Sequence, residues 1–414
     1  MTRRLWYERP TFATIPARVL GPYRHLLGVP GARRLLVSSL AGRLPLGMAS
    51  LAVLLLVRAA TGSFAVAGVA VGAFALAQAV AAPVLGALVD RSPMPAVLLP
   101  SAALQFAALV GLVLAARWSA PAAVLVALSA AGGATQPPVA AAVRMLWARV
   151  APEPRLRDAA YALDASAQEV VWTTGPLLVG GAIALVSPSA AVLLTAVVSL
   201  AGTWWFTSGA LARSAPPATV AGRASALTSA GLRALLVAGG LLGLSIGATE
   251  VGLAGLADHD GVAAAGVLLS VWSVGSLVGG LAYGAMPWRS PLDRRLPALL
   301  AALGVLCLPL IAAEGFAAGV VVSFVAGLCI APVFSCLYSL TAEHAPAGTT
   351  AEAFTWSTAA LVTGIAAGSA VAGALVEAAG VPTAMTLGPT ACIVAAALAF
   401  AHRRRLAAPA FSAS

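Results

Sequence analysis

Five ionisable residues, Arg43, Arg144, Asp164, Glu169 and Glu250, sit inside long apolar runs. In hydrocarbon each costs at least about 2.5–3.5 kcal/mol if unpaired, so each calls for a partner or a task. Arg43, in the run 34–57, and Glu169, in the run 160–186, both lie about 14 Å from the same membrane edge at 1.5 Å per residue. Arg144 and Asp164 lie about 7 Å from that edge, on the consecutive runs 121–148 and 160–186. Equal depth predicts two ion pairs, Arg43–Glu169 and Arg144–Asp164. Two readings of the first pair stand side by side. Either it only holds the helices together, or Arg43 faces a cavity and Glu169 takes up and releases a proton as that cavity opens and closes. Glu250, about 10 Å below the opposite edge, has no basic residue at its depth in its own half. It is either a second proton carrier or a side chain snorkelling to water.

Helix breakers fall beside these charges. Pro45 removes a backbone hydrogen bond two residues from Arg43, and Pro138 and Pro332 interrupt two further runs. Interrupted membrane helices at corresponding places point to a midplane binding site, although an ordinary bend gives the same pattern. Gln136, Trp172, Trp272, Tyr338 and Trp356 surround the breaks in sequence. A mostly apolar, aromatic cavity with few polar groups suits a hydrophobic or amphipathic organic solute.

The elements that position these residues follow from composition. The chain has 414 residues, 60% hydrophobic and 9% charged, with a mean hydropathy of +0.96. A soluble domain carries about 25% charged residues, so the chain is read as an all-α polytopic membrane protein. Runs of about 20 apolar residues cross a bilayer, and each must be helical to satisfy its own backbone. Twelve are expected: 34–57, 63–88, 95–116, 121–148, 160–186, 189–210, 231–256, 262–286, 296–313, 316–341, 351–377 and 381–402. They divide into a bundle over 34–210 and a second over 231–402, joined by a polar linker, 211–230. An N-terminal arm, 1–33, and a tail, 403–414, complete the chain. The arm is either loosely ordered or a basic segment on the membrane surface.

All 24 basic residues are arginine. Twenty fall on the side of the termini, while the opposite side has Arg58 and Arg117 with Asp258, Asp260, Glu314 and Glu377. The positive-inside rule therefore places both termini in the cytoplasm, in a multi-pass protein of the inner (cytoplasmic) membrane. The net charge of +10 is a topology signal that requires no nucleic acid. Four scattered histidines and four cysteines in apolar runs offer no metal cluster and no disulfide framework. Without lysine there is no G-x-x-x-x-G-K nucleotide loop. No catalytic residue, metal or cofactor is expected, which leaves a polytopic membrane enzyme as a remote alternative.

The halves repeat. "GALVDRSP" at 86–93 returns as "GAMPWRSP" at 284–291, 198 positions on. Gly133 and Pro138 return as Gly327 and Pro332, Gly175 as Gly368, and Gly47 as Gly247. Matches in register order across corresponding runs indicate duplication. Two pseudo-symmetric six-helix halves are a transporter architecture. Over nearly its whole length the chain resembles the major facilitator superfamily. Gly86, Asp90 and Arg91 match the family's signature between crossings two and three, without its usual further basic residues. "GPLLVGG", from Gly175, resembles the fifth-crossing signature of the family's drug/proton exporters with one extra residue. The exporter arginine early in crossing four is absent; Gly132 and Gly133 stand there instead.

The resemblance implies that crossings 1, 4, 7 and 10 line the cavity and that 2, 5, 8 and 11 form the seam. It implies that Asp90 holds the start of crossing eleven in one state, with Arg144–Asp164 a structural pair or part of the same conformational latch. A solvated loop charge is the alternative for Asp90. The expected function is proton-coupled export of a small organic solute by alternating access, by a monomer, the family default. One proton moving down 100 mV supplies about 2.3 kcal/mol, enough for a roughly 50-fold gradient of a neutral solute. An importer or uniporter on the same fold is the alternative; a non-transporting sensor is a remote one.

Overall fold

Deprived of water, apolar runs this long close their hydrogen bonds internally, and small residues then decide how near their backbones approach. The computed structural model describes residues 15–216, 225–256, 262–313 and 316–407. Asp258, Asp260 and Glu314, with part of the arm, linker and tail (1–14, 217–224 and 408–414), lie outside the described residues.

The first bundle contains α2 (Ala32–Thr61), α3 (Phe64–Arg91), α4 (Met94–Arg117), α5 (Ala122–Ala134) with α6 (Val139–Val150), α7 (Pro154–Leu185) and α8 (Pro188–Thr207). A short α1 (Ile15–Gly28) precedes it and a one-turn α9 (Ala210–Arg213) follows it. The second bundle contains α10 (Ala230–Leu256), α11 (Val262–Ala285), α12 (Leu292–Cys307), α13 (Phe316–Gly327) with α14 (Ile330–His344), α15 (Thr350–Ala379) and α16 (Val381–Met385) with α17 (Leu387–Ala401). A last turn, α18 (Arg403–Leu406), ends it. Eleven segments among the described residues are long and apolar enough to cross a membrane. The twelfth, α7, is 32 residues long and more polar, carrying Asp158, Asp164, Gln168 and Glu169. Crossings four and ten are each split, at 135–138 and 328–329. Pro45, by contrast, lies inside the continuous α2.

The repeat has a packing counterpart. A methyl group at Gly133 would collide with the Phe74 carbonyl, and one at Gly327 with the Trp272 carbonyl. Phe74 and Trp272 are themselves repeat partners at the shift of 198. Likewise Gly47 and Gly175 bring α2 against α7, while Gly247 and Gly368 bring α10 against α15. The same pairs of crossings touch at the same places in both halves.

Each bundle has its own apolar core, around Met48, Val53, Phe74 and Leu109 in the first and Leu242, Leu268, Leu300 and Cys336 in the second. A third cluster joins them on the face that carries the termini (the termini face): Leu26, Trp147, Tyr161 and Phe206 pack with Ala331, Tyr338 and Phe354. The arm takes part. Helix α1 buries Tyr23 and Leu26, and the Tyr23 hydroxyl donates to the Leu281 carbonyl at 2.7 Å. This part of the arm is packed against both bundles.

Candidate functional site

Asp164, midway along the termini-side half of α7, is fully buried and holds two arginines. Arg43 Nη1 of α2 donates to its Oδ1 at 2.9 Å, and Arg144 Nε of α6 to its Oδ2 at 3.0 Å. Arg43 Nε and Nη2 turn back to the carbonyl and hydroxyl of Ser39. Arg144 Nη2 donates to the Tyr338 hydroxyl of α14 at 2.8 Å, and its guanidinium carbon stands 3.8 Å from that ring's centre. Tyr161, Phe334 and Phe354 pack around Tyr338. The expected Arg144–Asp164 pair is present.

The expected Arg43–Glu169 pair is not. Depth along an axis was the basis for pairing them, and depth ignores direction. Asp164 and Glu169 are five residues apart, about 140° around a helix of 3.6 residues per turn. Asp164 therefore faces into its own bundle, whereas Glu169 faces α11 of the other, where Ser276 donates to its Oε1 at 2.9 Å. Arg43 is wholly buried and does not border open space.

The other sequence candidates divide. Gln136 sits in the split of crossing four, 6% exposed, its amide oxygen without a partner among the described residues. Pro138 caps α6, and Pro332 occupies the first turn of α14. Trp172 is 46% exposed, and Glu250 is exposed without an ion pair among the described residues. Two tryptophans are placed elsewhere. Trp272 belongs to the core of the second bundle. Trp356 packs against Ala226, Leu232 and Ala353 at the termini face, because α15 enters there and the residue is only two turns in.

A second constellation closes the termini face. The Asp90 carboxylate, at the end of α3, accepts from the amides of Ala351 and Glu352, both at 2.9 Å. These are unsatisfied donors of the first turn of α15, where a negative charge also meets the helix dipole. Gly86, one turn earlier, lets α3 approach so closely that a methyl group there would strike Thr355 and the Ala351 carbonyl. Arg91 is exposed. Arg144 and Asp164 make their own cluster, without hydrogen bonds to Asp90.

Sequence reasoning missed several members. Arg157 pairs with Glu343 and Arg295 with Asp158, both at 2.9 Å across the bundles. Ser339 donates to Asp158 at 3.1 Å. Glu352 accepts from the Ser225 hydroxyl, at 2.7 Å, and the Ala226 amide, tying the linker to α15. A signal existed: Asp158, Glu343 and Glu352 are carboxylates on a face otherwise dominated by arginine. Among the described residues, the polar links between bundles run from the termini face inward to Glu169–Ser276 and no farther.

Residues 35–254, more than half of the chain, match the model of the Major Facilitator Superfamily. No curated protein matches the sequence significantly. In fold the chain is similar to the crystal structure of the human organic anion transporter MFSD10 (TETRAN), at 17% identity and a TM-score of 0.67, covering 89% of this chain and 99% of that one. It is also similar to a bacterial homologue of the iron transporter ferroportin in the outward-facing state, at 14% identity and a TM-score of 0.72, covering 89% and 98%. The same homologue with soaked iron gives 15%, 0.69, 91% and 99%.

Proposed function

Because the chain belongs to the Major Facilitator Superfamily, we propose that this membrane transporter exports a small organic solute from the cytoplasm by alternating access, driven by returning protons. The arginine distribution supports an orientation with both termini in the cytoplasm and the chain spanning the inner membrane. On that orientation the termini face is the cytoplasmic gate, and the arrangement described here is closed to the cytoplasm. Asp90 is its latch, gripping α15 while the gate is shut.

The observation that carries the coupling is the setting of Glu169. It lies at membrane depth on the seam between bundles, where it accepts a hydrogen bond from the neutral hydroxyl of Ser276. An ionised carboxylate there has no counter-charge at hand, so closure of the seam favours the protonated form and opening to water favours release. A proton bound in one state and released in the other is what couples a gradient to the rocking of the bundles. Glu250, exposed in α10, is the second carrier candidate.

The test is Glu169→Gln in vesicles of reconstituted protein under an imposed proton gradient. Wild type accumulates solute against its gradient. The variant still exchanges solute at equilibrium and loses accumulation. Undiminished accumulation by Glu169→Gln and by Glu250→Gln would refute proton coupling through these groups, and equilibration without accumulation by the wild type would leave a uniporter.

A further inference from the structure

The cluster around Asp164 carries one more positive charge than negative. Arg43 and Arg144 share Asp164, all three nearly or wholly excluded from water. Arg43 has each of its nitrogens committed, to Asp164 and to Ser39. Arg144 has not. Its Nε is held by Asp164 and its Nη2 by the Tyr338 hydroxyl, while Nη1 makes no hydrogen bond among the described residues. A purely architectural pair needs one arginine per carboxylate; the second adds an uncompensated buried charge, which is costly.

What surrounds that charge is suited to an incoming molecule. Tyr338 belongs to the other bundle, so separation of the bundles on the termini face withdraws the hydroxyl and frees Nη2. The planar Nη1–Nη2 edge is then open, the fork that binds an oxyanion through two parallel hydrogen bonds. Side chains lean toward the N-terminus of their helix, which carries Arg144 toward the split in crossing four. There Gln136 keeps an amide oxygen without a partner among the described residues although it is 6% exposed, and no side chain caps the start of α6. Tyr338, Phe334 and Phe354 form an aromatic wall beside it.

We propose that Arg144 is the recognition site for an oxyanion on the solute, an organic monoanion with an apolar body, which replaces Tyr338 on the guanidinium when the termini face opens. This rests on the transport function proposed above and adds the charge of the cargo.

The experiment compares three probes of one shape and different charge, 1-naphthoate, 1-naphthamide and 1-naphthylmethylammonium, binding to the purified full-length protein. Naphthoate is expected to bind at least about tenfold more tightly than the other two, the worth of a charge-assisted hydrogen bond. Arg144→Gln should remove that preference without lowering the unfolding temperature, because Arg43 and Asp164 remain as a one-to-one pair. Tyr338→Phe, which frees Nη2 in every state, should strengthen naphthoate binding; it serves as the deciding variant if Arg144→Gln fails to fold. Absence of naphthoate binding, equal binding of the amide or ammonium, or weaker naphthoate binding by Tyr338→Phe overturns the proposal. Glu169-dependent vesicular export of the amide or ammonium would sink the anion inference alone and leave the transporter reading standing.

Discussion

Replacing Asp90 by asparagine should shift the balance between the closed and open arrangements of the termini face by about 2 kcal/mol. The carboxylate takes two amide hydrogen bonds of 2.9 Å from the first turn of α15. Bonds to a charged acceptor contribute about 1.5–3 kcal/mol each, and the helix dipole adds about 0.3–1 kcal/mol. Asparagine keeps one acceptor oxygen, so roughly one charge-assisted bond and the dipole term are lost. Part of this returns because the separated partners are hydrated, leaving about 2 kcal/mol, or a roughly 30-fold change in the ratio of states. Ser166 is a suitable reporter: it is 1% exposed, its hydroxyl has no partner among the described residues, and it abuts Gly280 across the seam. In a background without the four native cysteines, Ser166→Cys should react with a membrane-impermeant maleimide about 30 times faster when Asp90→Asn is added, as expected when opening and closing are rapid relative to labelling. Arg91→Gln, at an exposed neighbour, should change nothing. A rate altered less than threefold by Asp90→Asn would refute the latch.

Other expectations follow from the same contacts. Asp164→Asn leaves two guanidiniums buried without a counter-charge and should cost about 3–5 kcal/mol; a thermal unfolding shift worth less than about 1 kcal/mol would contradict the cluster. Gly175→Leu should prevent assembly of the first bundle, since even a methyl carbon there would stand 2.7 Å from the Gly47 α-carbon, whereas Gly180→Leu, with open space around it, should fold; monodispersity in detergent distinguishes them. Reversing Arg157 or Glu343 alone should raise labelling of Ser166→Cys, and the double reversal should restore protection, because their contact at 2.9 Å spans the bundles. Equal labelling in single and double reversals would remove that pair from the gate.

The crossings and their duplication were legible because both rest on signals that survive without neighbours: run length, arginine bias and glycines at a constant shift. The splits at Pro138 and Pro332 were visible for the same reason, since proline acts on its own helix. Arg43 was assigned the wrong carboxylate because the choice between Asp164 and Glu169 is angular, and a rotation of about 140° decides it. Trp272 and Trp356 were sent to the cavity by proximity in sequence to the breaks, whereas close backbone packing at Gly327 and the late entry of α15 place them elsewhere. The burial of Tyr23 had no sequence signature, because its acceptor, the Leu281 carbonyl, is 258 positions away and generic in type.

That tyrosine makes the beginning of the chain a working part. Helix α1 lies across α7 and α11, and Gly284 leaves room for the Tyr23 hydroxyl between them. Burial pushes the phenol above its ordinary range, so it stays a donor throughout physiological pH. Any motion that parts α7 from α11 on this face must break the contacts of α1 with one of them. Truncation of α1 should therefore loosen the contact between α7 and α11 on this face, read as faster labelling of Ser166→Cys.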